Sequence, residues 1–161
     1  MPALQRTGKE IAEIYSRQVD TVYRICFSFM KNTADAEDMV QETFLRLLGS
    51  SVDFLSEEHE KAWLIVTASN LCKDALKKWW RKTVDIDDPS LALKQPPFEI
   101  DEVLDAIMSL SPDQKTAVYM HYYEGYTTAE IADYLHCHHA TVRSRLSRAR
   151  KTLKNKLGGD F

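Results

Sequence analysis

The sequence predicts an all-α protein: two small helical domains joined by a flexible linker, the second ending in a helix-turn-helix. Apolar residues recur at steps of three and four through most of the 161 residues, with no run of strand alternation. Between Thr83 and Phe98 that period lapses into Asp85, Asp87, Asp88, Pro89, Pro96 and Pro97, the composition of an interdomain linker. The segment from Thr127 to Leu157 reads as two helices around a tight turn, the second basic on its outside. Domains are therefore expected at 1–82 and 99–161, with 83–98 between them.

The elements follow in order. From about Lys9 to Met30, Ile11, Ile14, Tyr15, Val22, Cys26 and Met30 fall at helical spacing, and Asn32-Thr33 offers a break and a new N-cap. A second helix runs to Leu48 and is ended by Gly49, with Ala36, Met39, Val40, Phe44, Leu47 and Leu48 on its core face. Residues 50–56 are loop-like. A long helix from Glu57 to Lys82 then turns Ala62, Trp63, Val66, Leu71, Ala75, Leu76 and Trp79 inward. Beyond the linker, a helix is expected from Glu99 to Leu110. Ser111-Pro112-Asp113-Gln114 supplies an N-cap, proline at N1 and Gln at N3 for the next helix, which ends near Glu124-Gly125. Thr127 and Glu130 stand in capping-box spacing and start a short helix that buries Ile131, Ala132 and Leu135. After the turn His136 to His139, the stripe Val142, Leu146, Ala149 and Leu153 packs inward.

Composition narrows the function. With 44% hydrophobic and 28% charged residues the chain reads as a globular protein, and no apolar run is long enough for membrane insertion. Met1 to Glu10 lacks the apolar core of a secretory signal and the three cysteines are widely spaced, so a reduced, cytoplasmic protein is expected. A net charge of -3 argues against a protein that coats nucleic acid indiscriminately, so the basic charge must be local. It sits on the last helix: Arg143, Arg145, Arg148, Arg150, Lys151, Lys154 and Lys156 occur with no acid from Ala140 to Leu157. A merely solvated face mixes signs and carries Glu to Lys pairs at i,i+4, so this pattern is the footprint of an element that meets phosphates and base edges.

Two further faces point to partners. The second helix turns Asp35, Asp38, Gln41, Glu42 and Leu45 away from its core face. The dipole favours acids in the first turn, which accounts for Asp35 and Glu37, but Asp38 and Glu42 form a like-charge i,i+4 pair that an external cation would explain. On the long third helix Thr67, Asn70, Lys73, Asp74, Lys77 and Arg81 fall near one another, with Trp79-Trp80 beside them. Amide, cations and aromatics together suit a nucleic-acid strand with unstacked bases.

Three segments together resemble the extracytoplasmic-function sigma factors of bacterial RNA polymerase, over nearly the whole chain. Asp35-Ala-Glu-Asp-Met-Val-Gln-Glu-Thr-Phe-Leu-Arg-Leu is similar to the family's core-polymerase-binding helix, and Trp63-Leu-Ile-Val-Thr-Ala-Ser-Asn-Leu-Cys-Lys-Asp to its promoter-melting and minus-10 segment. Leu110-Ser-Pro-Asp-Gln-Lys and Thr141-Val-Arg-Ser-Arg-Leu-Ser-Arg-Ala-Arg resemble its C-terminal domain. The resemblance implies that Asp35, Asp38, Gln41, Glu42 and Leu45 bind core polymerase. It implies that Thr67, Asn70, Lys73, Asp74 and Lys77 meet the minus-10 DNA, with Asn70, Lys73 and Asp74 beside a flipped base. It implies that Thr141, Arg143, Ser144, Arg145, Arg148 and Lys151 meet the minus-35 DNA. Core RNA polymerase, promoter DNA and an anti-sigma factor are the implied partners. The chain departs from the family at Ser69, where a cation is common, and at His138 and Ala140, where proline and glycine are common.

The alternative is a stand-alone helix-turn-helix regulator that binds operator DNA without polymerase. A metal-dependent enzyme is the more distant rival. His136, Cys137, His138 and His139 lack the second ligand pair of a structural zinc site, and no nucleophile triad or phosphate-binding glycine loop occurs. No catalytic residue, metal or cofactor is expected.

Overall fold

The computed structural model describes residues 6–82 and 96–157, and it divides the chain into two compact units, Met1–Phe98 and Glu99–Phe161. The described residues are helical, without strands, and none of their helices is long and apolar enough to cross a membrane.

The first unit is three helices: α1, Gly8–Met30; α2, Thr33–Leu48; and α3, Glu57–Lys82. The turn between α1 and α2 is only Lys31 and Asn32. Lys31 closes α1 in the left-handed region at φ 65°, its N–H donating to the Phe27 carbonyl at 2.9 Å. Asn32 then caps α2, its side-chain oxygen accepting from the Asp35 N–H at 2.9 Å. Gly49 ends α2 in the ordinary right-handed region, so glycine's conformational freedom is not what stops the helix there. Ser56 opens α3, its hydroxyl oxygen accepting from the His59 N–H at 3.0 Å.

The core of this unit comes from Val22, Ile25, Cys26 and Phe29 of α1, Ala36, Val40, Phe44 and Leu47 of α2, and Ala62, Leu64, Ile65, Ala68 and Cys72 of α3. Leu48, expected in the core, is 44% exposed, because the inward stripe of α2 is already completed by Leu47. Two polar arrangements cross the core. Burial pushes the Cys26 thiol well up, and a contact with Cys72 adds to the shift. Glu60 is buried where α3 meets α1, and both its oxygens take donors: Arg17 Nε and a terminal nitrogen at 2.8 Å each, and Gln18 Nε2 at 3.0 Å. Burial raises the Glu60 pKa, but the hydrogen bonds and charge of Arg17 and the bond from Gln18 outweigh it and hold the group low.

The second unit contains α4, Glu102–Met108; α5, Pro112–Val118; a π-helical turn, Tyr119–Tyr123; α6, Thr128–Leu135; and α7, His139–Leu157. The helix α4 is shorter than the expected span from Glu99 to Leu110, because Asp101 caps it, its carboxylate accepting from the Leu104 N–H at 2.8 Å. Ser111 is the N-cap of α5 but its hydroxyl makes no capping bond. The Ser111 carbonyl already takes the Gln114 and Lys115 N–H groups at 3.0 Å each, and Pro112 has no N–H to satisfy. The expected continuous helix to Gly125 widens instead at Tyr119, where the Glu124 N–H reaches back to the Tyr119 carbonyl at 3.1 Å.

Gly125, at φ 81°, then reverses the chain. The capping box of α6 is complete: Thr127 Oγ1 accepts from the Glu130 N–H at 3.1 Å, and the Thr127 N–H donates to Glu130 Oε1 at 3.0 Å. A Schellman turn ends α6, with Cys137 N–H to the Ala132 carbonyl, His136 N–H to the Asp133 carbonyl, and His136 in the left-handed region at φ 54°. Val142, Leu146, Ala149 and Leu153 of α7 are buried with Ile131, Leu104, Ile107, Val118 and Met120, while Leu135 is only half-buried. The expected linker lies outside the described residues from 83 to 95. Its last residue, Phe98, belongs to the first unit, edge-on to Tyr23 at 5.4 Å and to Phe27 at 5.8 Å.

Candidate nucleic-acid interface and docking groove

The outward face of α2 does more than display charge. Asp38, Gln41, Glu42 and Leu45 are exposed. Asp35 is half-buried and engaged in the cap, taking a hydrogen bond from Asn32 Nδ2 at 2.6 Å. Between α1 and α2 runs a groove of about 570 Å³, lined by Ile11, Tyr15, Tyr23, Glu37, Val40, Gln41, Phe44, Leu45 and Leu48. Tyr15, Leu45 and Leu48 are 46%, 52% and 44% exposed, large apolar surfaces that a folded unit normally turns inward unless something covers them. The Tyr15 ring meets Phe44 at 4.8 Å, tilted by 59°, so the two rings line the groove together. At one side Tyr23 donates to Glu37 Oε1 at 3.2 Å; burial, then the Glu37 charge and this bond, push the Tyr23 hydroxyl up to about 12. The sequence reading found the acids and missed the groove. Ile11 and Tyr15 read in sequence only as members of a helical apolar pattern, and the signal available was Leu45, an apolar residue on an otherwise polar face.

On α3, Asn70, Asp74 and Lys77 are exposed and Thr67 and Lys73 half-buried, recurring at three and four along one side. Asp74 makes no salt bridge with Lys77 or Lys78 among the described residues, so a local ion pair does not account for it. Trp63 is half-buried and meets the Phe54 ring at 5.8 Å. The side chains of Trp79, Trp80 and Arg81 lie outside the described residues. The loop before α3 carries no motif in its sequence. There Arg6 braces the chain through Ser50, Val52 and the Phe54 ring, and Leu55 is left 91% exposed.

On α7, Ser144, Arg148 and Lys151 are exposed opposite the buried stripe, with half-buried Thr141 in the same row. Arg145, half-buried, borders that row, whereas Arg143 falls on the other flank with Arg150 and Lys154. None of the cations of α7 is held in a salt bridge among the described residues, so their charge is available. The start of α7 is pinned to α6 by Thr128 Oγ1 and His139 Nε2 at 2.5 Å. Arg150 is held differently, its Nε donating to the Tyr122 hydroxyl at 2.5 Å. Two exposed surfaces thus differ in chemistry: an apolar groove rimmed by acids, and a helix with cations and short polar groups alone.

The comparisons with known proteins identify the family. Residues 14–82 match Sigma-70 region 2 and residues 100–153 match Sigma-70, region 4. The chain is 34% identical over 155 residues to the ECF RNA polymerase sigma factor SigM of Bacillus subtilis, covering 89% of this chain and 93% of that one. It is 30% identical to SigL of Mycobacterium tuberculosis, covering 88% and 85%. In fold it is similar to the sigma factor RpoE, solved in complex with the anti-sigma factor NepR from Bartonella quintana, with a TM-score of 0.72, 23% identity and coverage of 95% and 99%. With both regions present in order and nearly the full length of SigM aligned, the chain belongs to the ECF sigma factors, which direct RNA polymerase to specific promoters.

Proposed function

We propose how this sigma factor divides that work among its surfaces. The α1–α2 groove and its rim, Asp35, Asp38, Gln41, Glu42 and Leu45, dock core polymerase. Thr67, Asn70, Lys73, Asp74 and Lys77 of α3 take the minus-10 strand, and Thr141, Arg143, Ser144, Arg145, Arg148 and Lys151 of α7 take the minus-35 duplex. The observation that carries this division is the separation of charge: exposed acids beside apolar surface on α2, and an acid-free cationic face on α7. A protein surface is matched by the first and a polyanion by the second. Acting with polymerase would place the chain in the cytoplasm. An anti-sigma factor is a proposed partner, by analogy with the RpoE relative. No step is assigned to a catalytic group.

Run-off transcription with core polymerase tests the division. Asp38→Lys with Glu42→Lys is expected to abolish promoter-dependent transcripts and co-migration with core enzyme while leaving the helix content intact. Asn70→Ala is expected to spare both core binding and closed-complex formation and to slow opening of a linear promoter, read by permanganate footprinting, with a pre-melted template restoring the rate. Equal opening rates on the linear template would remove α3 from the minus-10 assignment. Duplex binding by the free chain as tight as that of the holoenzyme would favour the stand-alone regulator.

A further inference from the structure

The π-helical turn places one tyrosine against the basic flank of α7. Arg150 Nε donates to the Tyr122 hydroxyl at 2.5 Å across 28 positions of sequence, with the guanidinium carbon 5.9 Å from the ring centroid. The phenol is itself braced. Its ring stands edge-on to His121 at 4.8 Å, His121 Nδ1 lies 2.9 Å from the Tyr126 carbonyl oxygen, and the Tyr126 ring meets Tyr134 of α6 at 5.8 Å. Arg150 is therefore tied, through the π turn, to the first helix of the helix-turn-helix.

The chemistry of the tie is specific. A carboxylate in the place of Tyr122 would neutralise the arginine, whereas a phenol hydroxyl fixes Nε and leaves the positive charge whole. Of the five N–H donors of a guanidinium, the four on the terminal nitrogens are left, in a planar fork that matches two phosphate oxygens. Arg150 is exposed and sits on the flank of α7 between the buried stripe and the outward row, where a helix lying in a groove passes the sugar-phosphate backbone rather than the base edges. We propose that Tyr122 is a positioning residue that holds the Arg150 guanidinium ready for a backbone phosphate of the promoter duplex. The inference rests on the assignment of α7 to DNA and adds a phosphate clamp to it. From the same widened turn Tyr123 donates to Asp101 at 3.0 Å while its neighbour Tyr122 meets Arg150.

The test is promoter binding by reconstituted holoenzyme over a range of salt, with the parent protein and the variants Arg150→Gln, Tyr122→Phe, the double variant and Lys151→Gln. Arg150→Gln is expected to weaken binding by the same factor on every promoter variant and to flatten the log-log salt slope by about 0.9, one neutralised phosphate. Tyr122→Phe keeps the ring and removes the hydroxyl. It is expected to keep the slope and weaken binding by about two- to ten-fold, the cost of ordering a freed side chain. In the double variant the Tyr122 effect is expected to vanish, because there is no arginine left to position. A slope unchanged by Arg150→Gln overturns the proposal, as does a Tyr122→Phe loss that persists in the Arg150→Gln background, which is what a purely structural role would give. If Lys151→Gln also leaves affinity and slope unchanged, α7 does not lie on DNA, and the assignment falls together with the clamp.

Discussion

On α2 the buried stripe Ala36, Val40, Phe44 and Leu47 seats the helix, and the other side carries Asp38, Gln41, Glu42 and two exposed leucines; on α7 the stripe Val142, Leu146, Ala149 and Leu153 is buried in the same way, but among the described side chains no large exposed one is apolar. The two helices answer the same folding requirement with similar inward residues, so the inward stripe says little about function. The outward faces differ in sign and in apolar content, and both differences matter. A protein partner rewards desolvated apolar surface at the centre of an interface with polar groups at its rim. A polyanion rewards net positive charge and releases its counterions, and apolar surface adds nothing to that term.

The comparison breaks most decisively at Leu45. Replacing it by Asp puts an unpaired charge at the edge of an apolar groove and is expected to cost about 2 to 4 kcal/mol of core-polymerase affinity, the range of an interface hot spot. Because Leu45 is 52% exposed, thermal melting of the free chain is expected to stay within a few degrees of the parent. Titration of fluorescently labelled chain with core enzyme reads the first, calorimetry the second, and a large fall in melting temperature with unchanged affinity would show that Leu45 serves the fold instead.

The basic helix is sharpened by comparing positions within it. Arg148, in the outward row, is expected to lose about 1 to 3 kcal/mol at a single base position when replaced by alanine, as a lost base contact does. Lys154→Ala on the flank is expected to weaken every promoter variant alike. Holoenzyme affinities on a panel of minus-35 substitutions separate the two patterns; identical profiles would erase the distinction between row and flank.

A smaller effect separates the interiors of the two units. Arg17→Ala leaves Glu60 buried without its main partner, and since Arg17 is 38% exposed the cost is expected at about 1 to 2 kcal/mol rather than the full value for a buried pair. The sign of the pH dependence follows from the same carboxylate. Glu60 is held below its ordinary value in the folded unit, so its contribution is complete above the unfolded carboxylate pKa and drains away as the pH falls through the lowered folded one. Tyr23 acts at the other end: with its hydroxyl pushed up to about 12, the stability it adds is complete below the ordinary tyrosine value and is lost as the pH rises from about 10 toward 12. Acid and alkaline melting curves of the Arg17→Ala and Tyr23→Phe variants against the parent check both windows. The Arg17–Glu60 pair has no counterpart in the second unit, where no salt bridge occurs among the described residues.

The smallest expected effect lies in the turn of the helix-turn-helix. His136 adopts the left-handed conformation without being glycine, so His136→Gly is expected to gain up to about 1 kcal/mol by removing Cβ strain, less what glycine loses in chain entropy. Urea unfolding measures it, and a loss of stability would mean that the imidazole makes contacts worth more than the strain.

The residues themselves determined the helices, their order and the charge on each outward face. These are local properties: a period of three and four, a cap such as Thr127 with Glu130, or an acid-free run such as 140–157 is complete within one segment. Local reading also put Thr141, Ser144, Arg148 and Lys151 on one side of α7, because a helix converts spacing into direction, although Arg143, grouped with them, falls on the other flank. It failed where a property belongs to two segments at once. The groove exists because Ile11 and Tyr15 of α1 come to lie beside Leu45 and Leu48 of α2, and Leu48 lines it half-exposed while Leu47 is fully buried. Ser111 has a capping sequence and no capping bond, and its carbonyl rather than its hydroxyl takes the Gln114 N–H. Glu60 reads in sequence as one of several acids at a helix start, and only packing against Arg17 and Gln18 makes it a buried anchor. Arg150 reads as one more cation on α7, and only the π turn brings Tyr122 to it. Periodicity and capping are written within a dozen neighbours, whereas contacts across 28 or 43 positions depend on how whole helices meet, and that is decided by the tertiary structure.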